Sequence, residues 1–220
     1  MSDFDLATVD RLLSTTRAVR RRLDFTRPVP RDVVLDCVRL SQQAPTASNT
    51  QRWRWLLIDD PDLRRALGAI YARGVPAIRS SATALAHDRQ TRNVYDSALW
   101  LAERLADVPL LAIPCVAERL PAGAPLVQLA SLFGSIYPAV WSFQLALRSR
   151  GLGSAFTTLH LIFADEVRGL LGIPADVTQA AMLPVAYTTG GAFRPAARPP
   201  VETVAHWNGW GGAPTKGKRD

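Results

Sequence analysis

The sequence predicts an α+β domain arranged around one long buried helix. Two bulky apolar runs, Trp53 to Ile58 and Leu110 to Val116, have the length and composition of strands, and each adjoins a proline-containing turn. Between Arg119 and Arg148 there is no charged side chain, and the apolar residues recur at three- and four-residue steps. That spacing is typical of a buried helix face, so we expect this helix to lie at the centre of the fold.

Proline, glycine and acidic residues set the limits of the other elements. Pro61 suits the first turn of a helix, and the stretch from Gly172 to Pro174 ends one. The polar, arginine-rich stretch from Ala72 to Arg92 predicts a helix and a loop over a site. The remaining predicted helices are Asp5–Thr16, Pro30 to about Gln43, Pro61 to about Tyr71, Val94–Leu105 and Ala164–Leu171, and the remaining predicted strands are Ser154–Leu159 and Ala180–Tyr187.

The uncharged run from Leu120 to Leu147 contains the central helix, which follows Gly123-Ala124-Pro125 and is nearly as apolar on its other faces. A membrane span is the alternative, because such a span needs about 20 apolar residues. Polar residues such as Gln128, Ser135 and Gln144 inside the run favour a core helix instead. We hypothesise that a second subunit covers part of it. The residues predicted to be buried on its main face are Leu129, Leu132, Phe133, Ile136, Val140, Phe143 and Leu147.

The charge pattern favours a small anionic ligand over nucleic acid. The net charge of +7 would suit a duplex, but the arginines are spread along the chain, and the only lysines are Lys216 and Lys218. The one dense cluster runs from Arg17 to Arg22, and arginine forks match phosphate geometry. A solvated arginine face and a nucleic-acid-binding module both stay open as alternatives.

The two cysteines, Cys37 and Cys115, lie in apolar surroundings without a metal-ligand spacing. Buried free thiols are typical of a reducing compartment, so we expect a cytoplasmic protein. The N-terminus lacks the pattern of a signal peptide. His87, His160 and His206 are scattered, and no metal site is expected.

Two further segments could contact a ligand. The stretch from Ala44 to Gln51 joins a helix to a strand with small hydroxyl and amide side chains, which could edge a flat polar heterocycle or form a plain polar turn. The second segment is Phe156-Thr157-Thr158, which offers backbone N–H groups and hydroxyls. The stretch before it, Gly151 to Ser154, is not a dinucleotide fingerprint, because it follows a helix and precedes a strand and lacks a third glycine. No nucleophile–base set, carboxylate pair or metal spacing stands out, so an enzyme of this sequence would depend on a cofactor.

The order of these fragments resembles the FMN-dependent nitroreductase family over almost the whole chain. Three departures from the family pattern concern the site: Ala18 replaces a serine, Arg52 replaces a proline, and Ala186 replaces a glycine. The matching fragments are Arg17-Ala18-Val19-Arg20, Val29-Pro30, Ala44 to Trp53, Gly151-Leu152-Gly153, Leu171-Gly172-Ile173-Pro174, Leu183 to Tyr187 and Arg198-Pro199-Pro200.

The resemblance implies a mostly antiparallel sheet flanked by helices and an intertwined homodimer with FMN at the interface. It implies no catalytic side chain, because FMN would carry the chemistry. A backbone N–H of the segment 156–158 would stabilise charge on the flavin N5. The implied phosphate ligands are Arg17, Ala18 as the serine's replacement, Arg20, Arg21 and Arg198. The residues implied to line the flavin ring, in some cases across the interface, are Pro45, Thr46, Ala47, Ser48, Asn49, Phe156, Thr157 and Thr158.

The expected activity is NAD(P)H-dependent reduction of nitroaromatics, quinones or similar electron-poor acceptors by a ping-pong mechanism. The alternatives are an FMN-sequestering protein without turnover and a flavin-degrading or dehalogenating member of the same family. One FMN-binding domain is expected over residues 1–210, with a C-terminal arm at about 188–210 and a flexible tail at 211–220. No nucleic-acid or membrane partner is expected.

Overall fold

The computed structural model describes residues 3–211, which divide into two compact units. The larger unit is Thr16–Ala192. The smaller unit combines residues 3–15 with 193–211. The predicted arm therefore overlaps the sheet of the larger unit at its start, and residues 212–220 of the predicted tail lie outside the described residues. The single FMN-binding domain expected from the sequence remains a prediction.

The smaller unit contains helix α1 (Leu6–Thr15) and an extended C-terminal segment. Asp5 begins the helix, because its carboxylate accepts the Ala7 N–H at 3.2 Å and the Thr8 hydroxyl at 2.6 Å. In the C-terminal segment a short turn at Val201–Thr203 precedes a ring contact between His206 and Trp210.

The larger unit is built on an antiparallel sheet, which confirms the predicted fold class. The strand order is β1-β6-β3-β2, with β4 paired to β6 and β5 to β3, and each of these pairs is antiparallel. The strands are β1 (Leu23–Asp24), β2 (Trp53–Ile58), β3 (Leu110–Val116), β4 (Leu152–Ser154), β5 (Thr178–Gln179) and β6 (Leu183–Thr188).

Six helices of the larger unit accompany this sheet. Prolines and aspartates begin several of them: Asp60 accepts the N–H groups of Asp62 and Leu63, and Asp88 accepts that of Thr91. The helices are α2 (Arg31–Ser41), α3 (Pro61–Ala72), α4 (Val75–Leu85), α5 (Arg89–Ala102), α6 (Leu126–Ser149) and α7 (Ala164–Leu171).

Helix α6 packs along the sheet and supplies the largest share of the core. Its residues Leu132, Ile136, Val140, Phe143 and Leu147 are buried against β3, β6 and α2, as the spacing predicted. Ridges of this kind form because residues three and four apart share one helix face. By length and composition α6 could also cross a membrane, a test that the core helix of a globular domain passes as well.

One face of α6 is not covered by the residues that the structure describes. Leu126 is 81% exposed and Val127 is 70% exposed, and Leu129, Tyr137 and Trp141 are each more than a third exposed. The expectation that Leu129 is buried is therefore wrong for the single chain. The helix begins at Leu126, directly after Gly123-Ala124-Pro125 as predicted, because Pro121, Gly123 and Pro125 keep the preceding stretch out of helical conformation.

Two predicted strands are shorter than expected. β4 covers Leu152–Ser154, and the stretch after it forms a single bridge between Thr157 and Met182 before a 3₁₀ turn at Leu159–Phe163. The run Ala180–Tyr187 is interrupted at residues 180–182 and pairs regularly only from Leu183. The strand prediction for Ser154–Leu159 is therefore wrong, because this backbone leaves the sheet after β4.

His160 is fully buried in that 3₁₀ turn. Neither ring nitrogen has a hydrogen-bond partner among the described residues, and burial lowers the pKa of the imidazole to about 4. In the unfolded chain the ring would bind a proton near pH 6.5. In this pH range the unfolded state binds a proton on the imidazole and the folded state does not. The free energy of unfolding therefore falls as the pH decreases from about 6.5 towards 4.

We expect the substitution His160→Leu to remove an acid-dependent loss of stability. Between pH 7 and pH 4 the free energy of unfolding of the wild type should fall by about 3 kcal/mol more than that of the variant, since the pKa difference is about 2.5. Urea unfolding at each pH measures this difference, and His87→Gln, at an exposed position, is the control. Parallel pH profiles of the wild type and His160→Leu would contradict the assignment.

Candidate functional site

A cavity of about 410 Å³ brings together two of the segments predicted to bind a cofactor. We call it the arginine cavity. Its volume lies within the usual range of small-molecule sites. Arg20 from the N-terminal arginine cluster and Phe156, Thr157 and Thr158 from the stretch after β4 share it with residues of α3, α4 and α5, which are Tyr71, Ala77, Ile78, Ser81, Val94, Tyr95, Ala98 and Leu101.

Arg20 supplies the positive charge of this cavity. Its Nη1 donates to the Ser97 Oγ at 3.3 Å, and it forms no ion pair with a described carboxylate. Burial lowers the pKa of the guanidinium, and the neighbouring Tyr71 partly offsets that effect. A desolvated cation without a counterion is costly, so an anionic or strongly polar ligand would stabilise this arrangement.

The segment 156–158 presents backbone donors and hydroxyl groups to the cavity. The Thr157 N–H donates to the Met182 carbonyl at 3.0 Å, and the Thr157 hydroxyl donates to the same oxygen at 2.8 Å. The N–H groups of Phe156 and Thr158 have no hydrogen-bond acceptor among the described residues. Two of the three N–H groups of this segment are therefore available to a ligand.

The arginine segment reaches this cavity because it lies directly on β4. The Val19 N–H donates to the Ser154 carbonyl at 2.8 Å. A Cβ added to Gly153 would lie 2.6 Å from the Thr188 Cγ2 and 3.0 Å from the Val19 Cβ. The second glycine of the Gly-Leu-Gly fragment is thus required because the side chains of Val19 and Thr188 pack directly against its Cα.

The other predicted phosphate ligands do not line the arginine cavity. Arg17 and Ala18 are exposed. Arg21 turns towards α5, where its guanidinium lies 5.6 Å from the ring centre of Trp100 and donates to the Asp96 carbonyl at 3.4 Å. Arg198 belongs to the smaller unit, is exposed and donates to the Ala197 carbonyl at 3.0 Å. Their role as phosphate ligands stays a prediction.

The predicted ring-lining loop borders a second cavity of about 320 Å³, which we call the loop cavity. Ala47 and Ser48 line it, together with β2, the end of β3 and the first turns of α6. Pro45 and Asn49 are exposed, and Thr46 is partly buried, its hydroxyl accepting the Gln51 N–H at 3.2 Å. Within one chain, the two predicted halves of the cofactor site therefore line different cavities.

This loop is held in an uncommon backbone conformation. Ser48, Asn49 and Gln51 all have positive φ values, between 49° and 54°, although none of them is glycine. Left-handed backbone at non-glycine residues costs free energy and concentrates at ligand-binding sites. Arg52, where the family pattern has proline, forms an ion pair with Glu118 at 2.8 Å and so joins β2 to the end of β3.

Ser135 on α6 anchors the loop, and no sequence pattern pointed to this residue as part of a site. Its hydroxyl accepts the Ala47 N–H at 2.9 Å and donates to the Ser131 carbonyl at 2.7 Å. Its carbonyl accepts the Trp53 Nε1–H at 2.9 Å. The central helix therefore fixes the loop at both ends, at Ala47 and at Trp53, through Ser135.

A family model described as "Nitroreductase family" matches residues 13–187, which span the whole sheet and both cavities. The chain belongs to the nitroreductase family. The match confirms the resemblance found in the sequence fragments.

Two relatives of this nitroreductase are named for different activities. A Thermus thermophilus protein named NADH dehydrogenase is 27% identical over an alignment of 217 residues that covers 91% of this chain and 98% of the relative. A Thermotoga neapolitana protein named iodotyrosine deiodinase is 23% identical over 80% of this chain and 86% of its own length.

A solved structure shares the fold. The FMN-dependent nitroreductase NfnB from Mycobacterium smegmatis, in complex with NADPH, superposes with a TM-score of 0.66 at 20% identity, over 92% of this chain and 99% of that one. This similarity supports the mixed helical and antiparallel architecture described above.

In this nitroreductase we expect Gly153→Ala to destabilise the fold by about 1–3 kcal/mol, because the new methyl group overpacks the contact with Val19 and Thr188. Gly169→Ala is the matched control: its Cβ meets open space on an exposed helix, so it should gain roughly 0.5–1 kcal/mol. Urea unfolding measures both. Equal stability of Gly153→Ala and wild type would show that the side chains of Val19 and Thr188 do not pack this closely against Gly153.

We expect Ser135→Ala to lower the free energy of unfolding by about 1–2 kcal/mol, because the Ala47 N–H loses its acceptor. Amide hydrogen exchange at Ala47 should accelerate in parallel. Ser142→Ala, also on α6 but without a bond to the loop, should change neither quantity. Unchanged exchange at Ala47 in Ser135→Ala would disprove the anchoring role.

Proposed function

We propose that this nitroreductase is an FMN-dependent NAD(P)H oxidoreductase that reduces nitroaromatics, quinones or similar electron-poor acceptors by a ping-pong mechanism. The observation that carries the proposal is the arginine cavity, in which Arg20 meets the donor segment 156–158. Family membership and the FMN-dependent, NADPH-bound structural neighbour support it. The relative named NADH dehydrogenase supports a nicotinamide nucleotide as the reductant.

The residues of this cavity fit FMN. A guanidinium without a carboxylate partner suits an anionic or electron-rich oxygen or nitrogen, and the unpaired N–H groups of Phe156 and Thr158 suit ring acceptors. Ile78, Val94 and Ile162 provide an apolar wall against which a flat ring could lie. The donor set therefore resembles a site for a polar heterocycle more than a site for a metal or a peptide.

When bound, FMN would accept a hydride from NAD(P)H and later pass it to the acceptor. The chain would contribute positioning and electrostatics, with no side chain in the role of general acid or base. Arg20, which the resemblance implied as a phosphate ligand, would instead stabilise negative charge on the reduced ring, because it shares the cavity with the segment 156–158. The N–H groups of Phe156 and Thr158 would act as preorganised donors. Arg17, Arg21 and Arg198 would hold the phosphate.

Helices α4 and α5 would form the wall that selects substrates. Both line the arginine cavity, and they occupy the stretch predicted to cover a site. The arginines Arg79, Arg89 and Arg92 on them are exposed and would favour the additional phosphate of NADPH over NADH.

A homodimer would complete the site. The uncovered face of α6, which includes Leu126, Val127 and Trp141, is a contiguous apolar stripe of the kind that marks a protein interface. Pairing this face with a second copy would cover it, and Pro45 to Asn49 of one subunit would then line the flavin ring held by the other. The protein would be cytoplasmic, in keeping with its two buried free thiols.

A spectroscopic titration tests this function. The purified protein should show the two visible bands of oxidised flavin, which should bleach on anaerobic addition of NADPH and return on addition of a nitroaromatic. Sedimentation of the same sample should give twice the mass of the chain. Bands that never bleach would favour an FMN-sequestering protein, and a colourless protein that FMN cannot reconstitute would refute the proposal.

Reductive dehalogenation is the second candidate, because a curated relative is named iodotyrosine deiodinase. The two activities differ in product, since dehalogenation releases halide whereas nitro reduction does not. Incubating the dithionite-reduced protein with an iodophenol and measuring iodide separates them. Iodide release without nitroaromatic turnover would replace the first proposal.

A further inference from the structure

A 3₁₀ turn follows directly on the donor segment of the arginine cavity. The turn spans Leu159–Phe163 and begins at Thr158, whose carbonyl accepts the Leu161 N–H at 2.9 Å. Thr158 and Leu159 both line the cavity. A shift of this turn would therefore move the Thr158 N–H, one of the two donors that have no acceptor among the described residues. Contacts that fix the turn also fix this donor.

Gly74 holds the first residue of the turn by leaving room for it. Gly74 lies between α3 and α4, and a Cβ placed on it would be 2.5 Å from the Leu159 Cγ and 2.8 Å from the Leu159 Cδ2. The branched end of Leu159 therefore rests directly on the Gly74 backbone. A larger residue fits at position 74 only if Leu159 moves.

The backbone conformation does not require glycine at this position. Gly74 has φ −80° and ψ −8°, a right-handed conformation that other residues also adopt. At a compatible position alanine normally stabilises a protein, because it lowers the entropy of the unfolded chain. The glycine therefore serves the contact with Leu159, and through Leu159 the wall of the arginine cavity.

Arg73, the neighbour of Gly74, contacts the last residue of the same turn. Its guanidinium carbon lies 4.3 Å from the ring centre of Phe163, and its Nη1 donates to both carboxylate oxygens of Glu166 on α7, at 2.7 and 2.6 Å. An exposed ion pair alone contributes little stability, but stacking on the ring fixes the guanidinium in place. Two consecutive residues between α3 and α4 therefore contact both ends of the turn.

We propose that Arg73, Gly74 and Leu159 are positioning residues that clamp the 3₁₀ turn and so fix the Thr158 N–H in the arginine cavity. None of the three belongs to the sequence fragments that resemble the family. Without the clamp, Leu159 would enter the cavity or the turn would move, and either change alters the ligand site. This role rests on the proposed function, because the ligand concerned is FMN.

The test measures FMN binding to the whole chain stripped of flavin, with the dissociation constant read from quenching of flavin fluorescence. Gly74→Ala should bind FMN on the order of tenfold more weakly, because its methyl group displaces Leu159. Gly169→Ala is the matched control: its added Cβ meets nothing within 4 Å, so its dissociation constant should equal that of the wild type. Wild-type affinity in Gly74→Ala would overturn the proposal.

A double-mutant cycle decides whether Gly74 acts through Leu159. Leu159→Ala removes the branched end that the new methyl group would strike. In that background Gly74→Ala should change the dissociation constant by less than about twofold. A full tenfold loss without the leucine would assign the effect to another contact and overturn the clamp.

The midpoint potential of the bound flavin separates positioning from a general loss of structure. A displaced Thr158 N–H would stabilise the charged reduced ring less, whereas a loosened fold weakens both redox forms alike. In Gly74→Ala the affinity for reduced FMN should fall about tenfold more than that for oxidised FMN, which lowers the potential by about 30 mV. An unchanged potential would show that the clamp does not position this donor.

Arg73→Ala tests the other end of the turn at an exposed position, where the substitution leaves the core intact. It should bind FMN roughly threefold more weakly, since Phe163 loses its stacking partner. Arg65→Ala removes the same charge from an ion pair with Asp62 on α3 and should bind like the wild type. If Gly74→Ala fails to fold, equal affinity of Arg73→Ala and Arg65→Ala overturns the proposal.

The wild type separates this proposal from the function on which it rests. A wild-type protein that binds no FMN would refute the proposed function, and the clamp with it. A wild type that binds FMN, with Gly74→Ala and Arg73→Ala binding it equally well, would refute the clamp alone.

Discussion

The structure depends on burial of β3 on both faces. All seven residues of this strand are buried, and it pairs with β2, β5 and β6. Leu110, Ala112 and Val116 belong to the core that α6 closes, and Leu111 and Ile113 are equally buried on the opposite face, since successive side chains alternate. A strand of this kind requires helices on both sides of the sheet. The candidate site lies in the gaps that those helices leave.

The two cavities are held by hydroxyl groups on different helices. The loop cavity is fixed to α6 through Ser135. The arginine cavity is lined by Tyr71 of α3, and its arginine, Arg20, is bound by Ser97 of α5. Rigid elements thus supply the anchoring hydroxyl groups, while short irregular segments supply the backbone donors. That division suits a binding site, because loops carry ligand contacts and the scaffold fixes their geometry.

The sequence predicted most of the fold because its main signals are local. β2 and β3 begin and end where their apolar runs do, and α7 begins at Ala164 with Asp165 and Glu166 in its first turn. The two-residue strands β1 and β5 were missed, since pairing of that length leaves no periodicity. The wrong strand at 154–159 has the same origin: Phe156 and Thr157 have high β propensity, but tertiary contacts with Met182 decide their conformation.

The candidate site was predicted only in part. Arg20 and the segment Phe156 to Thr158, which the order of the sequence fragments predicted to contact the cofactor, lie in one cavity. Tyr71, Ser97 and Ser135 were missed, because a single hydroxyl on a helix has no pattern of its own and acquires meaning only from a partner distant in sequence. The sequence also could not predict that these residues divide between two cavities, because the order of fragments along the chain carries no information about their distance in the folded structure.

The two buried cysteines have a practical consequence. Both Cys37 and Cys115 are free and at most 1% exposed, and burial raises the pKa of the Cys115 thiol to about 12. Thiol reagents attack the thiolate, so neither residue is a ready target in the folded chain. The native protein is therefore already a cysteine-silent background for site-specific labelling. A fluorophore attached to one introduced surface cysteine on α4 would report movement of the cavity wall without removal of any native residue.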